Sequence, residues 1–378
     1  MSTLEFTRND EPTIGVEIEL QLVDAESLVL TSGIQSVLDG LPSGLDEWIK
    51  PELMQSYLEI NTGVCRTVGE VSDDLRGKLV EVQRVTDGLG LQLFWAGTHP
   101  FSSWRTQEIT VNDRYFRLVE LMQDVARRLV TFGLHVHVGV DSGDKAVMIC
   151  DRMMRHLPLL LALSSNSPFW EGRNTGLHSN RSKIMEGLPT AGLPHRMRNW
   201  SEYIWLVNHL VNTGFINTIR EIWWDIRPHH VFGTVEIRVC DMPANLDQVL
   251  AITALVQCMV QTLSEEIDEG TYQSEYHPMM VQQNKWRATR FGADAELVDS
   301  SNFQKYTVQD TVEKLITTLH PMAERLDCVS ELQSASRLSV MTGSQQQLAI
   351  FEKTDSRREV VRQMLTDNDW QAEPGSTA

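Results

Sequence analysis

Apolar and polar residues alternate with a period of two in four stretches of the chain, the pattern of strands with one buried face. In Thr13–Leu22, Ile14, Val16, Ile18 and Leu20 lie on one side and Glu17, Glu19 and Gln21 on the other. Tyr57–Thr62 sets Leu58 and Ile60 opposite Glu59. Thr131–Val140 sets Phe132, Leu134, Val136, Val138 and Val140 against His135 and His137. Val231–Val239 carries Val231, Val235, Ile237 and Val239, with Gly233 among them, against Thr234, Glu236 and Arg238. Strands buried on both faces would read as continuous apolar runs. The alternation therefore predicts an antiparallel or mixed sheet with helices on one face and an open, polar face.

Between these strands the period changes to that of helices. Val71, Leu75, Leu79, Val82 and Val85 mark a helix over Val68–Leu89. Helices are also predicted at Asn112–Val130, at Lys145–Leu163 with a break near Pro158, and at Trp200–Thr213. A long apolar helix over Asn245–Ile267 begins at Asn245 as N-cap, with Gln248 completing a capping box. Thr31–Ile49 reads as turns around a short helix, Glu52–Thr62 as a strand region, and Leu91–Thr98 as a further strand ending in a G-T-H-P turn. Periodicity vanishes from Ser164 to Asn199, where Ser, Asn, Gly, Pro and Arg dominate; a loop this long usually serves function. Beyond it the chain is mostly helical through Leu365, and 370–378 reads as a tail. Because the four polar-faced strands run from about residue 13 to about residue 240, a boundary between them would divide their common face. We therefore expect one α+β domain over 1–378.

Composition narrows the class. The 378 residues are 42% hydrophobic and 22% charged, values of a globular protein. No leader pattern opens the chain and no apolar run is read as a membrane span, so a cytoplasmic protein is expected. Five scattered cysteines without a C-x-x-C pair predict reduced thiols and no thiolate zinc site. A net charge of −18 makes nucleic acid and anionic membranes poor partners.

The polar faces decide the chemistry. Glu17 and Glu19 are neighbours on one face and repel unless protonated or bridged by cations. Read alone, such a pair is most often a solvated strand face. His135 and His137 stand at a spacing used for metal ligation, and equally by hydrogen-bonded structural histidines. Glu236 and Arg238 form either a surface ion pair or a metal ligand beside a phosphate clamp. Together the set is rich in hard oxygen donors, which suits Mg²⁺, or Mn²⁺, better than structural zinc. Neither G-x-x-x-x-G-K-[ST] nor G-x-G-x-x-G occurs, so ATP would be held by metals and arginines on a sheet.

Longer motifs then become recognisable: G-V-E-I-E-L at 15–20, Y-L-E-I-N-T-G-V-C at 57–65, G-T-H-P-F at 97–101 and L-H-V-H-V-G at 134–139. They continue with L-A-L-S-S-N-S-P-F-W at 161–170, D-I-R-P at 225–228, G-T-V-E-I-R-V-C-D at 233–241 and N-K-W-R-A-T-R-F-G at 284–292. In these the chain resembles the glutamate–cysteine ligase type 2 family of carboxylate–amine ligases, within the glutamine synthetase-like superfamily. The resemblance implies a curved, mainly antiparallel sheet forming a funnel with helices on its outer face. It implies that Glu17, Glu19, Glu52, Glu59, His135 and Glu236 are metal ligands, that Arg238 faces the transferred phosphate, and that His137 lies near ATP. Arg114, Tyr115, Arg181 and Arg227 stand in shared motifs as contacts for substrate carboxylate or phosphate. The implied reaction is ATP-dependent amide formation through an acyl phosphate, with glutamate or a related carboxylate as acceptor and an amine such as cysteine. A metal-dependent hydrolase built on His-x-His, and a non-catalytic nucleotide- or metal-binding protein, are the competing readings. The family pattern has an aspartate and an aromatic where Asn174 and Leu177 stand, which unsettles the identity of the second substrate more than the metal face. Self-association, as a dimer, is expected from the apolar C-terminal helices.

Overall fold

A computed structural model describes residues 4–271, 276–299, 301–368 and 370. Its centre is a seven-stranded sheet. The strands are β1 (Ile14–Asp24), β2 (Ile49–Lys50), β3 (Tyr57–Asn61), β4 (Leu91–Phe94), β5 (Gly133–Gly139), β6 (Ile226–His229) and β7 (Thr234–Asp241). They lie in the order β6-β7-β5-β1-β3-β2, with β4 pairing the far half of β1, and every pair is antiparallel. The fold is α+β with an unclosed antiparallel sheet, as the alternation requires.

One face of the sheet is packed by the helices Val68–Gly88, Gly143–Met153, Leu157–Ser164 and Leu246–Asp268. On β1 the inward residues Ile14, Val16, Ile18, Leu20 and Leu22 are at most 1% exposed, and they share a core with Val71, Leu75, Leu79, Ile149, Leu160 and Ile252. Burying an aliphatic side chain of this size contributes about 1.5–3 kcal/mol, so this row alone fixes which side of β1 faces the helices. The same core runs on to Val360, Val361 and Met364 of the last helix. Those three side chains point inward.

Several expectations change in the structure. The strand expected from Val231 begins only at Thr234, because Gly233 adopts φ +65° in a turn; a Cβ there would lie 2.0 Å from the Thr7 carbonyl oxygen. Glu52 lies outside any strand, between β2 and β3. The helix expected over Asn112–Val130 is two, Asp113–Met122 and Asp124–Arg127, divided where Gln123 takes φ +51°. Pro158 stands in the first turn of the second helix of the Lys145–Leu163 region, where its missing N–H costs nothing. A short hairpin, Glu296–Val298 with Lys305–Thr307, interrupts the helical C-terminal part. Asn245 caps its helix through the Gln248 N–H at 3.0 Å, but the Gln248 side chain accepts from Ala244, so the box closes one residue early. That helix, Leu246–Asp268, is long and apolar enough to cross a membrane; 78% of its most apolar stretch is buried, as befits a core helix. Trp370 is buried, and the expected tail beyond it, 371–378, lies outside the described residues.

Candidate active site

Sheet register brings the polar positions of four strands together. Glu17 lies opposite His135 on one side and Asn61 on the other, Glu19 lies opposite Glu59, and Glu236 lies between His137 and Arg227. The face they form is not open. His135, His137 and Glu236 are at most 4% exposed, and only Glu17, Glu19 and Arg238 keep partial access.

At the centre, one ligand atom each from Glu17, His135 and Glu236 lies within 4.8 Å of the others. His135 Nδ1 is 3.0 Å from Glu17 Oε2. His137 Nδ1 bonds the Thr234 hydroxyl at 2.9 Å, which leaves Nε2 buried without a hydrogen-bond partner. That atom lies 3.4 Å from Glu17 Oε1 and 3.8 Å from Glu236 Oε1. Glu236 is clamped by Arg227, Nε to Oε2 at 2.6 Å and Nη2 to Oε1 at 3.3 Å, and its Oε1 also pairs with Arg238. Burial alone would raise the Glu236 carboxyl, but Arg227 and Arg238 hold it well below the usual carboxylate range. Glu17 is likewise kept well below it, against its burial, by the two imidazoles. Burial and the Arg238 charge push His135 down, toward the neutral form that can ligate a metal.

Toward β3 acids outnumber cations. Glu59 is pushed well above its usual range by burial and by the charges of Glu17 and Glu52, with Asn61 donating to it at 2.7 Å. Burial and the Glu19 charge push Glu52 to about 7. Glu19 receives the Gly133 N–H. Exposed Arg114 eases the charge on Glu52, and Tyr115, whose hydroxyl donates to the Pro51 carbonyl at 3.3 Å, is raised by burial and the same glutamates. Five carboxylates thus meet two guanidiniums around a buried, partnerless imidazole nitrogen. Hard donors in such excess suit divalent cations.

Two of the predicted contacts are engaged with internal partners. Arg227 spends its third nitrogen on the Ile222 carbonyl at 2.6 Å. Arg181, 4% exposed, holds the carbonyls of Arg238 and Val239 at 3.4 and 3.5 Å and packs across Gly133. Sequence reading missed His229 and Phe232, stacked with ring centroids 4.2 Å apart and both edge-on to His137. They stand at the β6–β7 turn, where periodicity carries no signal. Asn174, on the 164–199 segment, is exposed, and its neutral amide oxygen accepts the Gly176 N–H. The cavity of about 310 Å³ bounded by His156, Tyr306 and Lys314 includes none of the residues of this face.

The profile of glutamate-cysteine ligase family 2 matches residues 13–367. A protein of Thermobifida fusca named, provisionally, glutamate–cysteine ligase 2 is 40% identical over 97% of this chain and 93% of its own. One of Gloeobacter violaceus with the same name is 40% identical over 95% and 97%. Among solved structures, the glutamate–cysteine ligase of Francisella tularensis in complex with AMP superposes with a TM-score of 0.72 at 12% identity, over 98% of this chain and 91% of that one. The bifunctional glutathione synthetase of Pasteurella multocida gives 0.72 at 14% identity, over 96% of this chain and 52% of that one. At such identities the structures speak for the fold alone.

Proposed function

The chain belongs to glutamate-cysteine ligase family 2, and on that premise we propose that it is an ATP-dependent carboxylate–amine ligase that joins the γ-carboxylate of glutamate to an amine. The observation that carries the reading is the cluster of Glu17, His135 and Glu236 with Arg238 beside it.

Phosphoryl transfer to a carboxylate brings two anions together, so the site must offset charge before it does anything else. Glu17, His135 and Glu236, with Glu19, Glu52 and Glu59 toward β3, would hold Mg²⁺ or Mn²⁺, which when bound neutralises phosphate oxygens. Arg238 supplies the one partly accessible guanidinium on this face of β7, suited to the transferred phosphoryl group. Arg227 keeps Glu236 ionised and in place. His137, fixed by Thr234, turns Nε2 toward the acids, and the adjoining His229–Phe232 stack gives a ring surface for the nucleoside end. Arg114 and Tyr115 lie at the β3 end, where the acceptor carboxylate would enter. The reaction runs as ATP and carboxylate to acyl phosphate and ADP. Attack by the amine then forms the amide and releases phosphate and a proton. We read the chain as one domain because one core runs from Ile14 to Trp370.

The test is ADP release from ATP and glutamate across a panel of amines, cysteine included, with products read by mass spectrometry. Amine-dependent ADP release with a γ-glutamyl product supports the reading. Its absence with every amine returns the protein to the hydrolase or binding readings.

A further inference from the structure

The N-K-W-R-A-T-R-F-G motif carries none of the residues assigned above, yet it holds the site together. It forms the end of the helix Pro278–Phe291, on which Lys285 and Thr289 share a face at a spacing of four. The Thr289 carbonyl accepts from His178 and Ser179, at 2.8 and 3.1 Å, and its hydroxyl lies 3.2 Å from that of Ser182. Gly292 presses on Ser165 and His178 so closely that a Cβ would sit 2.8 Å from each. The 164–199 segment is therefore docked along this helix.

Lys285 is the charged one among these anchors. It is 3% exposed, and its Nζ donates to Asp225 Oδ2 at 2.6 Å and reaches Glu186 Oε1 at 2.8 Å. Lys183 takes the other Glu186 oxygen at 2.6 Å, so two cations and two carboxylates balance. An ammonium this buried persists only with such partners. Asp225 carries the lock into the site. Its carbonyl accepts the Arg238 N–H at 2.8 Å, where β7 slips register against β5 between Ile237 and Cys240. Its own N–H donates to Gly192, at the far part of the same segment, at 2.8 Å. Arg238 thus takes its backbone bond from Asp225, the residue that leads into β6, at the end of the β6–β7 pairing, and Arg227 follows Asp225 by two residues.

We propose that Lys285 is a positioning residue: by joining Asp225 to Glu186 it fixes the backbone that presents Arg238 and couples the 164–199 segment to it. The inference rests on the role given to Arg238 under Proposed function. An ion lock that served stability alone would leave turnover per folded molecule unchanged.

The experiment compares Lys285→Met and Lys285→Arg in the full chain, by steady-state ADP release and by hydrogen–deuterium exchange of peptides covering 178–192 and 234–241. Misplacing a charged group by about 1 Å costs about 100-fold, so Lys285→Met should lower kcat by about that factor and leave KM for ATP within about threefold. Lys285→Arg, which keeps the charge, should recover about a tenth of wild-type kcat or more. Both peptides should exchange faster in Lys285→Met. A folded Lys285→Met with kcat within about threefold of wild type, or with unchanged exchange in both peptides, overturns the proposal. If Lys285→Met does not fold, the double variant Lys285→Met/Asp225→Asn, which removes both charges of the pair, takes its place under the same criteria. A wild-type protein that releases no ADP with any amine refutes the ligase reading instead, and the exchange comparison still decides the role of Lys285.

Discussion

Replacing Arg227 by Met separates two roles that this residue could have. As a substrate contact it would raise the KM for carboxylate and leave stability nearly untouched. Its surroundings point the other way. Both Glu236 bonds, at 2.6 and 3.3 Å, and the bond to the Ile222 carbonyl at 2.6 Å are internal, and Glu236 is 1% exposed. Removing one partner of a buried ion pair costs about 3–5 kcal/mol. Arg238 stays on Glu236, so the lower end, about 3 kcal/mol, applies to the pair. The orphaned Ile222 carbonyl adds about 1 kcal/mol, and the Met side chain fills the space of the arginine stem with little extra strain. The expected loss is about 4 kcal/mol out of the 5–15 typical of a folded chain. Urea unfolding at neutral pH, with the slope checked for constancy, measures it. Among molecules that remain folded, kcat should fall with KM for the carboxylate little changed. A loss below about 1 kcal/mol, the size of an ordinary exposed substitution, accompanied by a raised KM would refute this reasoning and return Arg227 to the substrate.

Three further outcomes follow from the same geometry. Glu17→Gln should weaken Mn²⁺ binding, followed by electron paramagnetic resonance, by about 10–100-fold, the range seen even for groups one step removed from a metal; unchanged affinity would remove Glu17 from the ligand set. In chelator, Glu59→Gln should unfold at higher urea than wild type by about 1 kcal/mol or more, the worth of one pKa unit, since it removes a buried carboxylate repelled by Glu17 and Glu52; excess Mg²⁺ should reverse the order, and a destabilised chelated variant would contradict the charge argument. Burial pushes His99 down to about 3 from an ordinary 6.5, so the folded state binds fewer protons than the unfolded chain between those values. Stability should therefore fall as pH drops below 6.5, by about 2 kcal/mol from this residue by pH 5, and a His99→Gln variant with an undiminished slope would sink that assignment.

What the sequence disclosed depended on burial. β1, β3 and β5 were legible because each has one face in the helical core, so Ile18 and Glu19 announce opposite sides. The helix Val68–Gly88 was legible for the same reason. Glu52 was less so, since it joins the site from a connection outside any strand, where neighbours and not periodicity set its place. The polar face looked open because alternation reports polarity and not access; Glu236 is polar and nearly inaccessible. The 164–199 segment looked like a loop because its anchors, the Thr289 carbonyl and the Lys285 ammonium, belong to a helix about a hundred residues later. Asp225 and Lys285 could have been suspected only from their motifs, whose ionic partners lie far away in sequence.

The strand order has a consequence for how the molecule is made. β1, among the first structured residues, sits at the middle of the sheet, and its partner β5 and that strand's partner β7 are synthesised far later. β3 can pair with one side of the Glu17 strand early, but its other side must wait until β5 has emerged, about 110 residues later, which at about 5–20 residues per second is a wait of about 5–20 seconds. Pairings so distant close slowly and leave an alternating edge exposed meanwhile. The acidic residues on β1 put charge on that waiting edge, which disfavours pairing with another chain. The carboxylates that crowd the finished site are then also its protection against premature association, and neutral substitutions that stabilise the metal-free protein should lower the yield of soluble chain.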